Sequence, residues 1–255
     1  MRLITTAATA SLGLLLIAAP ASAVHEGSTY EANLSEVADN DPGSPSGSAS
    51  VEVSQDGETM TVSINATGLG NVPHALHFHG IVDGDEVSAS SCPTASRDVN
   101  DDGVVDVAEG APDYGGVVVS LTTEGDTSAD SALAVERFPA GTSVNYSRSG
   151  IPIPDELKPN LAKLHIVVHG VDEDGNGELT ADQAERSSLT DDLPREGTLP
   201  ALCGTLTATG GVVQTGDGSS ATGNNAGLIA FGSALVGAGA LVALRRRPSA
   251  VDATI

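Results

Sequence analysis

The stretch His74-Ala-Leu-His-Phe-His-Gly80 decides how the rest of this chain is interpreted. Side chains alternate between the two faces of a β-strand, so His77 and His79 point the same way, with Cα atoms roughly 6.6 Å apart at about 3.3 Å per residue. Two imidazoles at that spacing can bind one metal ion, whereas His74 faces the other side of a regular strand. The alternative is that the pair only decorates a polar strand face, because imidazole is a common metal ligand but not an obligatory one.

A second histidine strand favours the metal hypothesis. The run Leu164-His-Ile-Val-Val-His-Gly170 is as strand-like as the first, so four of the six histidines lie in two such runs. Within the second run, His165 and His169 lie about 13 Å apart on a regular strand, which is too far for both to bind the same ion. The other two histidines, His25 and His74, are candidates for a fourth ligand, and the alternative is that each is exposed or hydrogen-bonded instead.

Short strand-like segments fill most of the chain and indicate an all-β fold. They are separated by turn residues, and only residues 155–160 and 180–187 favour short helices. The Asp-Gly pair at residues 56–57 separates two alternating runs, which is typical of a hairpin. We expect a Greek-key β-sandwich or barrel of about eight to nine strands, with long calcium-loop insertions and a C-terminal transmembrane helix. The predicted strands are residues 28–34, 48–53, 59–66, 73–79, 115–121, 132–138, 142–146, 164–169 and 203–208.

One insertion carries the pattern of an EF-hand calcium loop. Residues 98–109 place oxygen-bearing side chains at loop positions 1, 3, 5, 9 and 12, and a glycine at position 6, where such a loop turns sharply. Neither flank reads as a helix, and a loop embedded in a β-domain does not need one. The alternative is a solvated acidic turn. The predicted calcium ligands are Asp98, Asn100, Asp102, Asp106 and Glu109.

A second insertion, residues 172–183, matches the same pattern less completely. Position 12 is Gln183, so the bidentate carboxylate of the pattern is lost unless Asp182 substitutes for it. Both insertions follow a histidine strand. We therefore expect calcium to fix the geometry around the histidines rather than to act as a signal. The candidate ligands in this second loop are Asp172, Asp174 and Asn176.

The two ends of the chain read as targeting segments. Residues 1–23 combine an early arginine, an apolar run and a small-residue end, as secretory signal peptides do. Residues 226–244 carry no charge and precede three arginines, which predicts a membrane helix, a cytoplasmic tail at residues 245–255 and an anchored domain outside the cell. A buried core helix is the alternative. Between these ends we expect one β-domain at residues 24–208 and a flexible stalk at residues 209–225.

The net charge indicates which kinds of partner the chain can bind, and the two cysteines indicate a disulfide. The formal net charge is −23, so the chain is repelled by nucleic acid and by anionic lipid and suits divalent cations. Its two cysteines, Cys92 and Cys203, belong to a secreted chain, where disulfides persist. We expect them to be bonded to each other, with two separate buried thiols as the alternative.

In this order, the motifs resemble the extracytoplasmic Cu/Zn superoxide dismutase family and the CHRD-domain proteins of bacterial surfaces. The likeness covers about residues 28–208. His77-Phe-His79 is similar to the copper-binding His-x-His of the dismutases, and the strand that ends at His169 is similar to the one that supplies another copper ligand. The segments 30–34 and 115–121 are similar to the CHRD pattern. The resemblance also implies the disulfide between Cys92 and Cys203.

The chain also departs from the dismutase pattern. No histidine lies between His79 and His165, so the metal-bridging and zinc histidines of that family have no counterpart. Pro200 stands where the family has an arginine that guides the anionic substrate.

Two functions follow from these expectations. The first is a non-enzymatic, cell-surface-anchored and calcium-stabilised β-domain with a copper-binding histidine site. The alternative is an extracytoplasmic copper-dependent superoxide dismutase of low or vestigial activity, because the negative charge opposes capture of an anion. The sequence disfavours a hydrolase, because it contains no serine or cysteine nucleophile motif and both cysteines are expected to be bonded. The sequence does not identify a protein partner.

Overall fold

The computed structural model describes residues 28–179 and 186–210. Within these ranges the chain consists of ten strands with long connections and a few short helices. The strands are β1 (Thr29–Glu36), β2 (Ser46–Val53), β3 (Thr59–Thr67), β4 (Leu76–Asp83), β5 (Glu86–Ser88), β6 (Gly116–Ser120), β7 (Ser143–Pro152), β8 (His165–His169), β9 (Pro200–Thr205) and β10 (Thr207–Gly210). The helices are α1 (Val107–Tyr114), α2 (Arg195–Thr198) and the 3₁₀ turns Ala95–Arg97, Ala129–Ser131, Val135–Arg137 and Lys158–Lys163.

The strands form one antiparallel sheet that curls into a half-barrel, which confirms the predicted all-β class. Its order is β5-β4-β8-β9-β1-β2-β3-β7, with β6 paired to β4 and β10 paired to β1. The Asp-Gly pair forms the predicted hairpin between β2 and β3, where Gly57 adopts φ 72°. Only glycine takes such a backbone conformation without strain. The sheet order makes the two histidine strands, β4 and β8, direct neighbours.

Strand β8 is buried on both of its faces. Ile166 and Val168 point into the main apolar core, whereas Val167 packs in a smaller cluster with Tyr114 and Cys203. His165 and His169 share the face of Val167 because side chains alternate along a strand. The histidines therefore lie on the side of the sheet that faces away from the main core, under the long connections that precede and follow β6.

Three predicted elements differ from the structure. The segment predicted as one strand at residues 203–208 is divided between β9 and β10. Residues 132–138 are not a strand but turns that end in the 3₁₀ helix Val135–Arg137. The Asp126 carboxylate accepts hydrogen bonds from the hydroxyls of Ser128 and Ser131, and such local bonds compete with a sheet ladder. The helix predicted at residues 155–160 is instead the later 3₁₀ helix Lys158–Lys163.

The predicted targeting segments lie outside the described residues. This applies to the signal peptide at residues 1–23, most of the stalk at 209–225, the membrane helix at 226–244 and the tail at 245–255. Most of the helix predicted at residues 180–187 is also outside them. In the part of the chain that the structure describes, no helix is long and apolar enough to cross a membrane.

Candidate metal centre

The three histidines singled out by the sequence meet at one point. β4 and β8 pair antiparallel with His77 opposite Val167, and the backbone N–H of His169 continues this pairing by donating to Ala75. One ring nitrogen from each of His77, His79 and His169 lies within 4.8 Å of the other two. All three side chains are at most 4% exposed. The sheet register thus brings together the proposed copper ligands.

Backbone carbonyls fix which nitrogen of each ring carries the proton. His77 Nε2 lies 3.0 Å from the Ala132 oxygen, His79 Nδ1 lies 3.0 Å from the Gly115 oxygen, and His169 Nδ1 lies 2.8 Å from the Thr198 oxygen. A carbonyl oxygen can only accept, so each of these nitrogens donates, and in a neutral ring the other nitrogen keeps a lone pair. Carbonyl partners of this kind orient histidines that bind metals.

The remaining nitrogens are arranged for a shared cation. His77 Nδ1 is buried without a hydrogen-bond partner, and His79 Nε2 lies 3.2 Å from His169 Nε2. Two lone pairs at that distance repel each other unless a cation or a proton lies between them. Ligand nitrogens about 2.0–2.1 Å from one ion at the tetrahedral angle are about 3.3 Å apart. The spacing of the two Nε2 atoms therefore fits a shared metal ion.

Burial keeps these imidazoles in the neutral form that binds metals. Desolvation, followed by the neighbouring histidines, lowers the pKa of His77 well below its usual value. Burial and the proximity of His169 lower the pKa of His79 to about 3, and burial lowers the pKa of His169 to about 4. All three rings are therefore uncharged at neutral pH, and no proton has to be displaced before an ion binds.

The end of helix α1 positions His79. The Tyr114 ring packs edge-on against the His79 ring with centroids 4.5 Å apart, and the next residue, Gly115, supplies the carbonyl that receives the His79 proton. Gly115 has φ 77°, and a Cβ atom there would lie 2.1 Å from the Gly80 oxygen. Only glycine allows this close approach of the helix end to β4.

The other histidines do not belong to the trio. Both ring nitrogens of His74 lie within hydrogen-bond distance of backbone carbonyls, those of His169 and Gly170 on one side and those of Gly70 and Gly141 on the other. His74 is thus no fourth ligand. His165 Nδ1 bonds Ser90, as expected for a residue outside the site. The remaining candidate, His25, lies outside the described residues.

The first predicted calcium loop leads into helix α1, which begins at loop position 10. The prediction that neither flank is helical is therefore wrong for the C-terminal flank. A capping box explains the helix, because the Asp106 side chain accepts from the Glu109 N–H while the Glu109 side chain accepts from the Asp106 N–H. Neither residue belongs to an apolar periodic run, so the pattern of hydrophobic residues did not signal the helix.

Side-chain oxygens of the first loop accept hydrogen bonds from backbone N–H groups of the same loop. Glu109 Oε1 accepts from the N–H of Val99, and Asp102 Oδ2 lies 3.0 Å from Arg195 Nη1. Among the described residues, the carboxylates of this loop are not one of the trios whose ligand atoms all lie within 4.8 Å. The internal bonds run to Asp98 from the N–H groups of Asp102 and Gly103, to Asn100 from that of Asp102, and to Asp102 from that of Val104.

The second predicted loop gains a residue that the sequence did not indicate. Asp172 and Asp174 offer carboxylate oxygens within 4.8 Å of one from Glu196, which lies in helix α2. Two residues after Glu196 in α2, the carbonyl of Thr198 accepts the hydrogen bond from His169 Nδ1. No local motif signals Glu196, because it lies outside the loop pattern. Gln183 and Asp182, which the sequence offered for position 12, lie outside the described residues.

The predicted disulfide is present between Cys92 and Cys203, with the two Cα atoms 5.8 Å apart. Comparison with models of known protein families found no match for this chain. Comparison with curated proteins found no significant match either.

Proposed function

We propose that this chain is a calcium-stabilised β-domain, anchored outside the cell by its C-terminal segment, that holds a copper ion between His77, His79 and His169. The observation that carries the proposal is the meeting of three buried, neutral imidazoles at one point. The disulfide supports an extracellular location, since such bonds persist in oxidising compartments. The Greek-key arrangement and the kinship with Cu/Zn superoxide dismutases and CHRD domains are part of the same proposal.

The donor set favours copper. Imidazole nitrogens suit zinc, copper, iron and nickel, and among divalent ions of this series copper binds a given nitrogen site most tightly. The three lone-pair nitrogens come from two adjacent strands of one sheet, so little rearrangement is needed to receive the ion. A buried site also shields the ion from competing ligands in the medium.

The burial of the histidine site and the net charge of the chain favour stable metal binding. Both disfavour rapid superoxide dismutation, which is the alternative function. His77 donates to the carbonyl of Ala132 and packs edge-on against Phe138. The connection between β6 and β7, which contains Ala132 and Phe138, covers the site and would have to move for a substrate to reach the ion. The net charge of −23 also slows the approach of an anion, in contrast to positive focusing, which raises encounter rates by about 10 to 10³-fold.

The calcium part of the proposal depends on the first loop. Asp98, Asn100 and Asp102 point their side-chain oxygens toward one turn of backbone, and Glu109 closes the loop by bonding the Val99 N–H. An ion that binds only the folded state raises the melting temperature. We therefore expect the domain to melt at a lower temperature after chelation of calcium, and an unchanged melting temperature would contradict a structural calcium ion there.

A copper titration of the full chain tests the histidine site. The wild-type protein, freed of metals, should bind one equivalent of copper tightly, and a His77→Ala, His79→Ala double variant should lose this binding. His165→Ala is the matched control, because it removes a second buried histidine from β8 that lies opposite His79 but whose Nδ1 bonds Ser90 instead of a nitrogen of the trio. Circular dichroism of each variant checks that the fold is retained.

Equal copper affinity of the wild type and the double variant would overturn the proposal. So would loss of copper binding in the His165→Ala control with its fold intact. A dismutase assay on the copper-loaded protein should show slow turnover, and rates near the diffusion limit would instead establish the alternative function.

A further inference from the structure

We infer that Glu196 is the missing carboxylate ligand of the second loop, so that Asp172, Asp174, Asn176 and Glu196 form a second calcium site. This inference deepens the calcium part of the proposed function and is independent of the copper site. The sequence alone left this loop incomplete at position 12, where it has glutamine. The carboxylate comes instead from helix α2, beyond the end of the loop pattern.

The backbone of the second loop has the same hydrogen-bond arrangement as the first. In both loops the side chain at position 1 accepts from the N–H at position 6, position 3 accepts from position 5, and position 5 accepts from position 7. The residue at position 4 has a positive φ in both, Asp101 at 58° and Gly175 at 72°. The two loops therefore hold their first three oxygen ligands in the same way.

Glu196 occupies in the second loop the place that Glu109 occupies in the first. Glu109 Oε1 accepts from the N–H of Val99, at position 2, with a distance of 2.9 Å. Glu196 Oε1 accepts from the N–H of Glu173, at position 2 of its own loop, also at 2.9 Å. The same backbone group thus anchors a glutamate in both loops, once from position 12 and once from a separate helix.

An unsatisfied buried oxygen points to a cation at this place. Asp172 is 7% exposed, and while its Oδ2 accepts from the Gly177 N–H, its Oδ1 is buried without a hydrogen-bond partner. Glu196 is only 3% exposed, so two carboxylates are buried side by side. Burying such charges is costly unless a cation neutralises them. The nearby Arg195 pairs with Glu173 and Asp102, the residues at position 2 of the second loop and position 5 of the first.

The geometry and the donor type fit calcium. Calcium–oxygen distances are 2.3–2.6 Å, so oxygens on one ion are at most about 5 Å apart. One oxygen each from Asp172, Asp174 and Glu196 satisfies this limit, since all lie within 4.8 Å of one another. A set made only of oxygens selects hard ions, and several carboxylates with a flexible loop favour calcium over magnesium, which needs near-ideal octahedral geometry.

Calorimetric titration of the full chain with calcium chloride, after removal of metals, tests the assignment. Glu109→Gln removes the first site, so any calcium bound by that variant belongs to the second loop. We expect Glu109→Gln to keep one equivalent and Glu109→Gln, Glu196→Gln to bind at least about tenfold more weakly, because the number of charged ligands sets the affinity. Glu178→Gln is the matched control, since this exposed side chain lies in the same loop but at a position that supplies a backbone carbonyl.

A second variant guards against misfolding, because Glu196 is buried. Asp174 is exposed, so Asp174→Asn should leave the fold intact and weaken calcium binding in the same background. Equal affinity with and without Glu196→Gln, or equal weakening by Glu178→Gln, would overturn the inference. So would absence of calcium binding in Glu109→Gln. If the single substitution Glu196→Gln abolishes calcium binding while Glu109→Gln alone does not change it, the second site is supported and the first is contradicted.

Discussion

The disulfide between Cys92 and Cys203 closes a long covalent loop, and its contribution to the free energy of unfolding can be measured. The two cysteines are 111 residues apart, and the bond ties the segment that leads into the first predicted calcium loop to strand β9. In the chain-entropy model, a cross-link of that span lowers the entropy of the unfolded chain enough to contribute about 4.8 kcal/mol at 25 °C. We therefore expect a Cys92→Ala, Cys203→Ala double variant to lose about 3 to 5 kcal/mol of the free energy of unfolding.

Urea unfolding at a fixed calcium concentration measures this loss, with circular dichroism as the signal. The slope of the free energy against urea should increase, because the unfolded chain without the bond exposes more surface. Wild-type protein reduced before unfolding is the control and should match the double variant. A difference below about 1 kcal/mol between oxidised and reduced wild type would refute the reasoning that the cross-link acts through the unfolded chain.

Two further predictions concern the histidine site. Burial lowers the pKa of His79 to about 3 and that of His169 to about 4 when no metal is bound, whereas the pKa of an unfolded histidine is about 6.5. The unfolded state thus binds more protons between these limits, and the free energy of unfolding should fall as pH decreases from about 6.5 to 4, more steeply than in a His79→Gln, His169→Gln variant. Parallel pH profiles of the two melting temperatures would contradict this. Gly115→Ala should destabilise the domain by more than the roughly 1–3 kcal/mol cost of a backbone conformation that is nearly confined to glycine, since its Cβ would meet Gly80. It should also weaken copper binding by displacing the carbonyl that orients His79. Gly116→Ala, where a Cβ meets nothing within 4 Å, is the control and should melt and bind copper like the wild type.

The histidine trio could be predicted because it depends on strand periodicity. His77 and His79 share a face in any regular strand, and His169 ends another strand, so a single pairing of the two strands brings them together. The carbonyls that fix their protonation could not be predicted in this way. Those of Ala132, Gly115 and Thr198 come from three separate connections whose paths depend on the packing of the whole domain.

Sequence patterns gave wrong predictions at places where local side-chain hydrogen bonds determine the backbone conformation. Residues 132–138 contain the apolar residues of a strand, but hydrogen bonds to Asp126 hold the chain just before them in a turn, and Leu133 is 48% exposed. Helix α1 starts at the capping box of Asp106 and Glu109, two residues that the calcium pattern had already explained. Glu196 could not be found at all, since its partner loop is separated from it by the segment that carries Gln183.

Both loops are connected to the histidines by a short helix. α1 contains Glu109 and is followed by Gly115, whose carbonyl holds His79, while α2 contains Glu196 and ends at Thr198, whose carbonyl holds His169. Calcium bound at either proposed loop site would therefore act on the helix that orients one histidine of the trio. Such linkage is reciprocal, so calcium and copper would change each other's affinity by the same factor. Copper uptake by a domain built in this way would depend on the calcium concentration of its surroundings.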